Sequence, residues 1–189
     1  MELITKKMQM LERKCEAVNQ ITFDEDFNVP DVKPDIGRMI QKKGEIQIED
    51  IQISQGKAFL SGALMVSLLY VSDSEERKIY SLRGNLPLGE TMNLEGLENG
   101  DKVQLKWDIE DLSVQLIHSR KINIKALVTF TAYVEEVRQL ELPIGVEDGE
   151  ISQKKQDCSV MCTAVHKKDI MRVKEDIDLS SNKPDIYEL

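Results

Sequence analysis

Residues 121–134 read KINIKALVTFTAYV, and their alternation decides the fold class. Ile122, Ile124, Ala126, Val128, Phe130, Ala132 and Val134 take the even positions, while Asn123, Lys125, Thr129, Thr131 and Tyr133 take most of the odd ones. A period of two sends alternate side chains to opposite sides of an extended backbone, so this stretch predicts a long strand with one face in a core.

The preceding segment begins on the opposite parity. Val103, Leu105, Trp107 and Ile109 are odd, then Leu112, Val114 and Leu116 are even, with Glu110-Asp111 between them. One extra residue in the strand restores the apolar side to the core, so a β-bulge is expected there, with Trp107 on the inward side. Ile46 and Ile48 give way to Ile51 and Ile53 across Glu49-Asp50 in the same manner.

Turn signals separate the runs. Ile117–Lys121 (IHSRK) closes a hairpin, Ser54–Gly56 (SQG) forms a turn, Ser72–Arg77 (SDSEER) is a polar loop, and Leu97–Asp101 (LENGD) carries an Asn-Gly pair that tolerates positive φ. Lys57–Val71 is apolar on both parities, which predicts a central strand covered on two sides. The N-terminal segment reads as extended through Met8, Met10, Val18, Ile21 and Phe23, with a helix over Glu2–Val18 as the rival. The expected fold is all-β: an antiparallel sandwich or barrel-like arrangement with one short helix near residues 34–41.

Composition narrows the function. The 189 residues carry a net charge of −9, with 41% hydrophobic and 31% charged side chains, as in a soluble globular chain. Residues 41–150 hold 12 basic and 19 acidic side chains, and residues 151–189 seven of each. An acidic surface without a basic stripe disfavours nucleic acid and anionic membranes. No apolar run reaches the roughly 20 residues of a spanning helix. The N-terminus lacks a signal-peptide core, and three cysteines, Cys15, Cys158 and Cys162, suit a reducing compartment, so a cytoplasmic location is expected.

The chain also repeats itself. At an offset of 150 positions, residues 23–39 (FDEDFNVPDVKPDIGRM) fall on residues 173–189 (VKEDIDLSSNKPDIYEL) with six identities in 17, four of them consecutive. Lys33, Pro34, Asp35 and Ile36 recur as Lys183, Pro184, Asp185 and Ile186, and Phe23, Phe27 and Val29 meet Val173, Ile177 and Leu179. Residues 1–150 are therefore expected to form one complete β domain, and residues 151–189 the beginning of a second tandem copy, truncated. Lys183–Leu189 is expected to pack poorly or against a neighbour. In the repeated motif, Pro34 biases Lys33 toward extended geometry and Asp35 suits a first helical turn, with Ile36, Met39 and Ile40 on one helical face. A binding loop presenting Asp35 is the functional alternative to this structural junction.

Catalytic chemistry is sparse. His118 adjoins Ser119 in the IHSRK turn, but adjacency in sequence does not make a triad. Cys158, Cys162 and His166 are spaced C-x3-C-x3-H, yet as alternate residues of a strand they lie about 13 Å apart per four residues, too far for one zinc ion. Neither a Gly-rich phosphate loop nor a Walker motif occurs. Acidic pairs such as Glu49-Asp50, Glu110-Asp111 and Glu135-Glu136, and the run Asp24–Asp26, read as solvated charges that protect strand edges. No catalytic, metal or cofactor-binding residue is assigned, and no enzymatic activity is expected.

The run from Asp26 to Glu90, with Val29–Ile36 (VPDVKPDI), the Gly56 turn, Gly62, SLLYVSD (Ser67–Asp73) and Leu86-Pro87-Leu88, resembles the SPOCS (spore coat assembly) domain family of spore-forming Firmicutes. LKWDIEDL (Leu105–Leu112) and IHSRKI (Ile117–Ile122) extend the resemblance. It implies tandem units and a scaffold role among spore coat proteins, in the mother cell at the forespore surface. It further implies contact with a SpoIVA-type coat ATPase through a LysM module, which this chain lacks. A carbohydrate or cell-wall binding β module is the alternative, against which stands an aromatic content of 5%.

Overall fold

The computed structural model describes residues 2–147, 154, 156–157, 159–167, 169–178, 180 and 182–183. Six strands account for the described regular structure: β1 (Glu2–Asn28), β2 (Ile36–Ser54), β3 (Lys57–Ser72), β4 (Ile79–Asn93), β5 (Gln104–His118) and β6 (Lys121–Glu147). They form two three-stranded sheets ordered β1-β6-β5 and β2-β3-β4. The chain divides into two compact units, Met1–Glu12 with Glu136–Leu189, and Arg13–Glu135. No helix among the described residues is long and apolar enough to cross a membrane.

The core lies within Arg13–Glu135 and joins both sheets. Ile122, Ile124, Ala126, Val128, Phe130, Ala132 and Val134 of β6 are all buried, as the alternation requires. They belong to one cluster with Leu60, Leu64, Val66, Leu68 and Tyr70 of β3 and Leu82, Leu86 and Leu88 of β4. Each buried aliphatic or aromatic side chain contributes about 1.5–3 kcal/mol, so this sandwich interior dominates the stability. The unit formed by Met1–Glu12 and Glu136–Leu189 is tied by Lys7–Glu141 and Arg138–Glu12 ion pairs, with the Thr163 amide donating to Gln9 O at 2.8 Å.

Both expected bulges are present. The β2–β3 register shifts between Ile48 and Asp50, and the β5–β6 register between Ile109 and Asp111. Ile46, Ile48, Ile51 and Ile53 therefore all meet the core, as do Leu105, Ile109, Leu112 and Val114. The β2–β3 hairpin turns on Gln55 and Gly56, both at positive φ (48° and 76°), the backbone of a tight two-residue turn. The N-terminal segment is strand throughout Glu2–Asn28, not helix.

Four expectations need correction. No helix forms near residues 34–41: Asp31–Lys33 is a turn, and Ile36 already opens β2 opposite Ser72. The three-residue spacing of Ile36 and Met39 arises instead from a strand whose register shifts between Ile36 and Arg38 and again between Met39 and Gln41. β3 is central in its sheet, yet covered on one side only, for Phe59 and Leu69 on its odd face are exposed. Trp107 pairs with the buried Phe130 but stands on the edge strand β5, where it stays 45% exposed. The described part of residues 154–183 carries neither helix nor strand, so the alternating-strand reading of Cys162 and His166 is not met; Cys158 lies outside the described residues.

Candidate functional site

The repeated motif and the IHSRK turn meet in space. The two-residue turn Ser119-Arg120 between β5 and β6 offers backbone carbonyls to both ends of the β1–β2 connection. Val29 N donates to Arg120 O at 2.9 Å, and Ile36 N donates to Ser119 O at 2.7 Å. Between those anchors the chain makes a turn in which Lys33 N donates to Pro30 O. Pro34 follows, which holds Lys33 extended and leads into β2.

The Arg120 guanidinium fills this loop from inside. Its Nη1 donates to Lys33 O (3.2 Å) and Asp35 Oδ1 (2.8 Å), and its Nη2 to Val29 O (3.2 Å) and Pro30 O (3.0 Å). A planar fork with fixed donor directions suits three carbonyls and a carboxylate at once, which a lysine could not match. Ser119 Oγ takes the other carboxylate oxygen, Asp35 Oδ2, at 2.7 Å. The Ser119 hydroxyl and then the Arg120 guanidinium hold the Asp35 carboxyl below the usual carboxylate range. Tyr70 from β3 donates its hydroxyl to Pro34 O, and Asp73 N donates to Asp35 O, so the opposite sheet holds the same loop.

Asp35, Ser119 and His118 thus lie close together, but their bonding is not that of a nucleophilic triad. Asp35 binds the serine, and His118 Nδ1 accepts from the Arg120 amide (3.3 Å) instead of facing Ser119 Oγ. Among the described residues no imidazole is placed to take the serine proton. Of the motif's repeat, only Lys183 is described, its amide donating to Ser180 O; Pro184, Asp185 and Ile186 lie outside the described residues.

The outward face of the β1-β6-β5 sheet is a lattice of complementary charges. Asn123 donates to both Asp24 and Asp26, while Lys125 pairs with Asp24 and Lys121 with Asp26. Asn123 then Lys125 lower the Asp24 pKa, and Lys121 then Asn123 lower that of Asp26. Tyr133 is flanked by Arg13 and Lys106, at 4.5 and 5.2 Å from its ring centre. Lys14 reaches Asp101 and Glu98, which raise its pKa in that order. The Cys15 thiol is pushed up by burial, which leaves it a packing residue. Among the described residues no three His, Cys, Asp or Glu side chains gather as a metal-binding group. Cys162 and His166 are exposed.

The sequence marks Ile117–Lys121 as a hairpin turn and Lys33–Ile36 as a strand-to-helix junction, with nothing to join the two. Arg120 was read only as a turn residue, because nothing local marks a guanidinium whose partners lie some 85–91 positions away.

Residues 35–117 match the family model described as SipL, SPOCS domain. This stretch belongs to the SPOCS domain family. The SPOCS match supplies the whole β2-β3-β4 sheet and all but the last residue of β5. It includes Asp35 of the clamp, while Arg120 and the strands β1 and β6 flank it. No curated protein and no solved structure matches the chain.

Proposed function

We propose that this chain is a non-enzymatic protein-interaction scaffold of spore coat assembly, acting in the mother cell at the forespore surface. The SPOCS match over residues 35–117 carries the reading. The arrangement of polar groups supports it: Asp35, Ser119 and Arg120 satisfy one another and the backbone, so the cluster that most resembles a catalytic site serves to lock a loop. Its partners are coat proteins, with a SpoIVA-type ATPase engaged by a LysM module elsewhere in such an assembly.

In this reading residues 151–189 begin a second tandem unit. Phe23 is buried in the core, and Phe27 packs against it. Their counterparts Val173 and Ile177 are 77% and 82% exposed. A following sheet would give them the cover that β1 residues receive in the first unit.

The test is capture from sporulating mother-cell lysate on the immobilised chain and on a version extended through later repeats, with purified cell-wall glycan as the competing ligand. Retention of identified coat proteins by the extended chain is the expected result. Retention on glycan in their place would overturn the reading in favour of a carbohydrate-binding module.

A further inference from the structure

The two outer faces of the sandwich differ. That of β1-β6-β5 is closed by ion pairs, whereas that of β2-β3-β4 has an apolar centre at the end near the Asp73–Lys78 loop. Paired residues share a face, so Val71 stands between Arg38 of β2 and Ile79 of β4, and Leu69 between Gln41 and Ser81. Ile79 is 62% exposed and Leu69 is exposed beside it.

At this end Arg38, Val71, Asp73 and Arg77 line an open cleft of about 540 Å3 with Gly37 and Ser72. Neither Arg38 nor Arg77 has an ion-pair partner among the described residues. Arg77 holds φ at +46°, a left-handed conformation that a non-glycine residue adopts at a cost and that aims this loop tip. Gly37 gives the cleft its floor, since a Cβ there would come within 3.2 Å of the Asp73 backbone. Both features shape a recess around two unpaired guanidiniums, on a chain whose net charge is −9.

We propose that this end of the β2-β3-β4 sheet docks an acidic segment of a partner protein, one carboxylate entering between Arg38 and Arg77 and neighbouring apolar side chains covering Val71, Leu69 and Ile79. The proposal rests on the scaffold reading above and names the surface it uses. Charge decides the occupant. Two guanidiniums and Asp73 leave a net of one positive charge, matched by a carboxylate and too little for a phosphate dianion. The edge of β2 is an unsuitable place for strand addition, because its register breaks at Ile36/Arg38 and Met39/Gln41 twist the backbone there. Contact is therefore made by side chains on the sheet face.

The probe is a dye-labelled octapeptide, Leu-Glu-Val-Asp-Leu-Glu-Val-Asp, titrated with the full chain by fluorescence anisotropy. Its Gln/Asn counterpart, octaglutamate and a single-stranded oligonucleotide are the comparisons. The first peptide is expected to bind, more weakly as salt rises, and to lose at least about tenfold in affinity in the Arg38→Glu, Arg77→Glu double variant and in the Leu69→Gln, Ile79→Ser double variant. Should charge reversal lower the melting temperature, Arg38→Gln with Arg77→Gln is read in its place. Failure of the wild-type chain to bind, equal binding by either double variant, or equal binding of octaglutamate or the oligonucleotide overturns the proposal. Coat-protein capture that persists in the charge-reversed chain would reject this surface and leave the scaffold reading standing.

Discussion

At the scale of single residues, two positions show how little freedom the fold leaves. Gly62 sits where β3 passes the β2 bulge, and a Cβ there would stand 2.1 Å from Gln47 O, an overlap only backbone movement relieves. Gly62→Ala is expected to destabilise by about 3 kcal/mol or more, while Gly89→Ala, whose Cβ meets nothing within 4 Å, changes little. Urea denaturation of both variants checks this, and equal midpoints would refute the close approach. Arg120 is the second position. Arg120→Ala removes charge-assisted bonds to three carbonyls and Asp35 and is expected to cost about 2 kcal/mol, with Arg120→Lys recovering less than half. Tyr70→Phe, which loses only the bond to Pro34 O, should cost about 1 kcal/mol. A lysine variant as stable as the parent would show that charge alone, not the fork, holds the loop.

At the scale of elements, carboxylates tie strands together and make that tie depend on pH. Asp24, Asp26, Asp35 and Asp101 all ionise more readily folded than unfolded. Their contribution is thus fully present above the unfolded value of about 3.9 and is lost as pH falls through the lower folded values. Thermal melting is expected to be flat for these groups between pH 7 and 5 and to fall below about pH 4. Asp35→Asn should be less stable than the parent at pH 7, with the gap narrowing as the pH falls below the unfolded carboxylate value and through the lower folded one; a gap that stays constant over that range would refute the ionised Asp35 tie. Strands were the most legible part of the sequence. Parity switches at Glu49-Asp50 and Glu110-Asp111 marked both bulges, because a bulge moves every later apolar residue to the other parity. The same rule hid the start of β2. Two register breaks within six residues let Ile36 and Met39, three apart in sequence, both turn toward the core, which imitates a helical face. Trp107 was misplaced for another reason: alternation tells the side of a strand, not whether the strand is an edge.

At the scale of the whole molecule, all the buried residues of the core cluster fall between Cys15 and Val134. A chain cut to residues 13–135 is therefore expected to keep its β-type circular dichroism and a cooperative melt, and a chain that unfolds on such trimming would show that the core needs the outer ends of β1 and β6. The repeat at offset 150 was readable because the motif is short and contiguous; the clamp it belongs to was not, because Arg120 enters from the other end of the domain. That separation bears on the order of folding. The hairpins β2–β3, β3–β4 and β5–β6 can each close locally, but the Arg120 loop demands that segments about 85–91 residues apart have already met. The clamp is therefore expected to form after the rate-limiting step. Its loss should leave the refolding rate nearly unchanged and speed unfolding, so Arg120 acts as a latch that sets how long the native state lasts more than how fast it is reached.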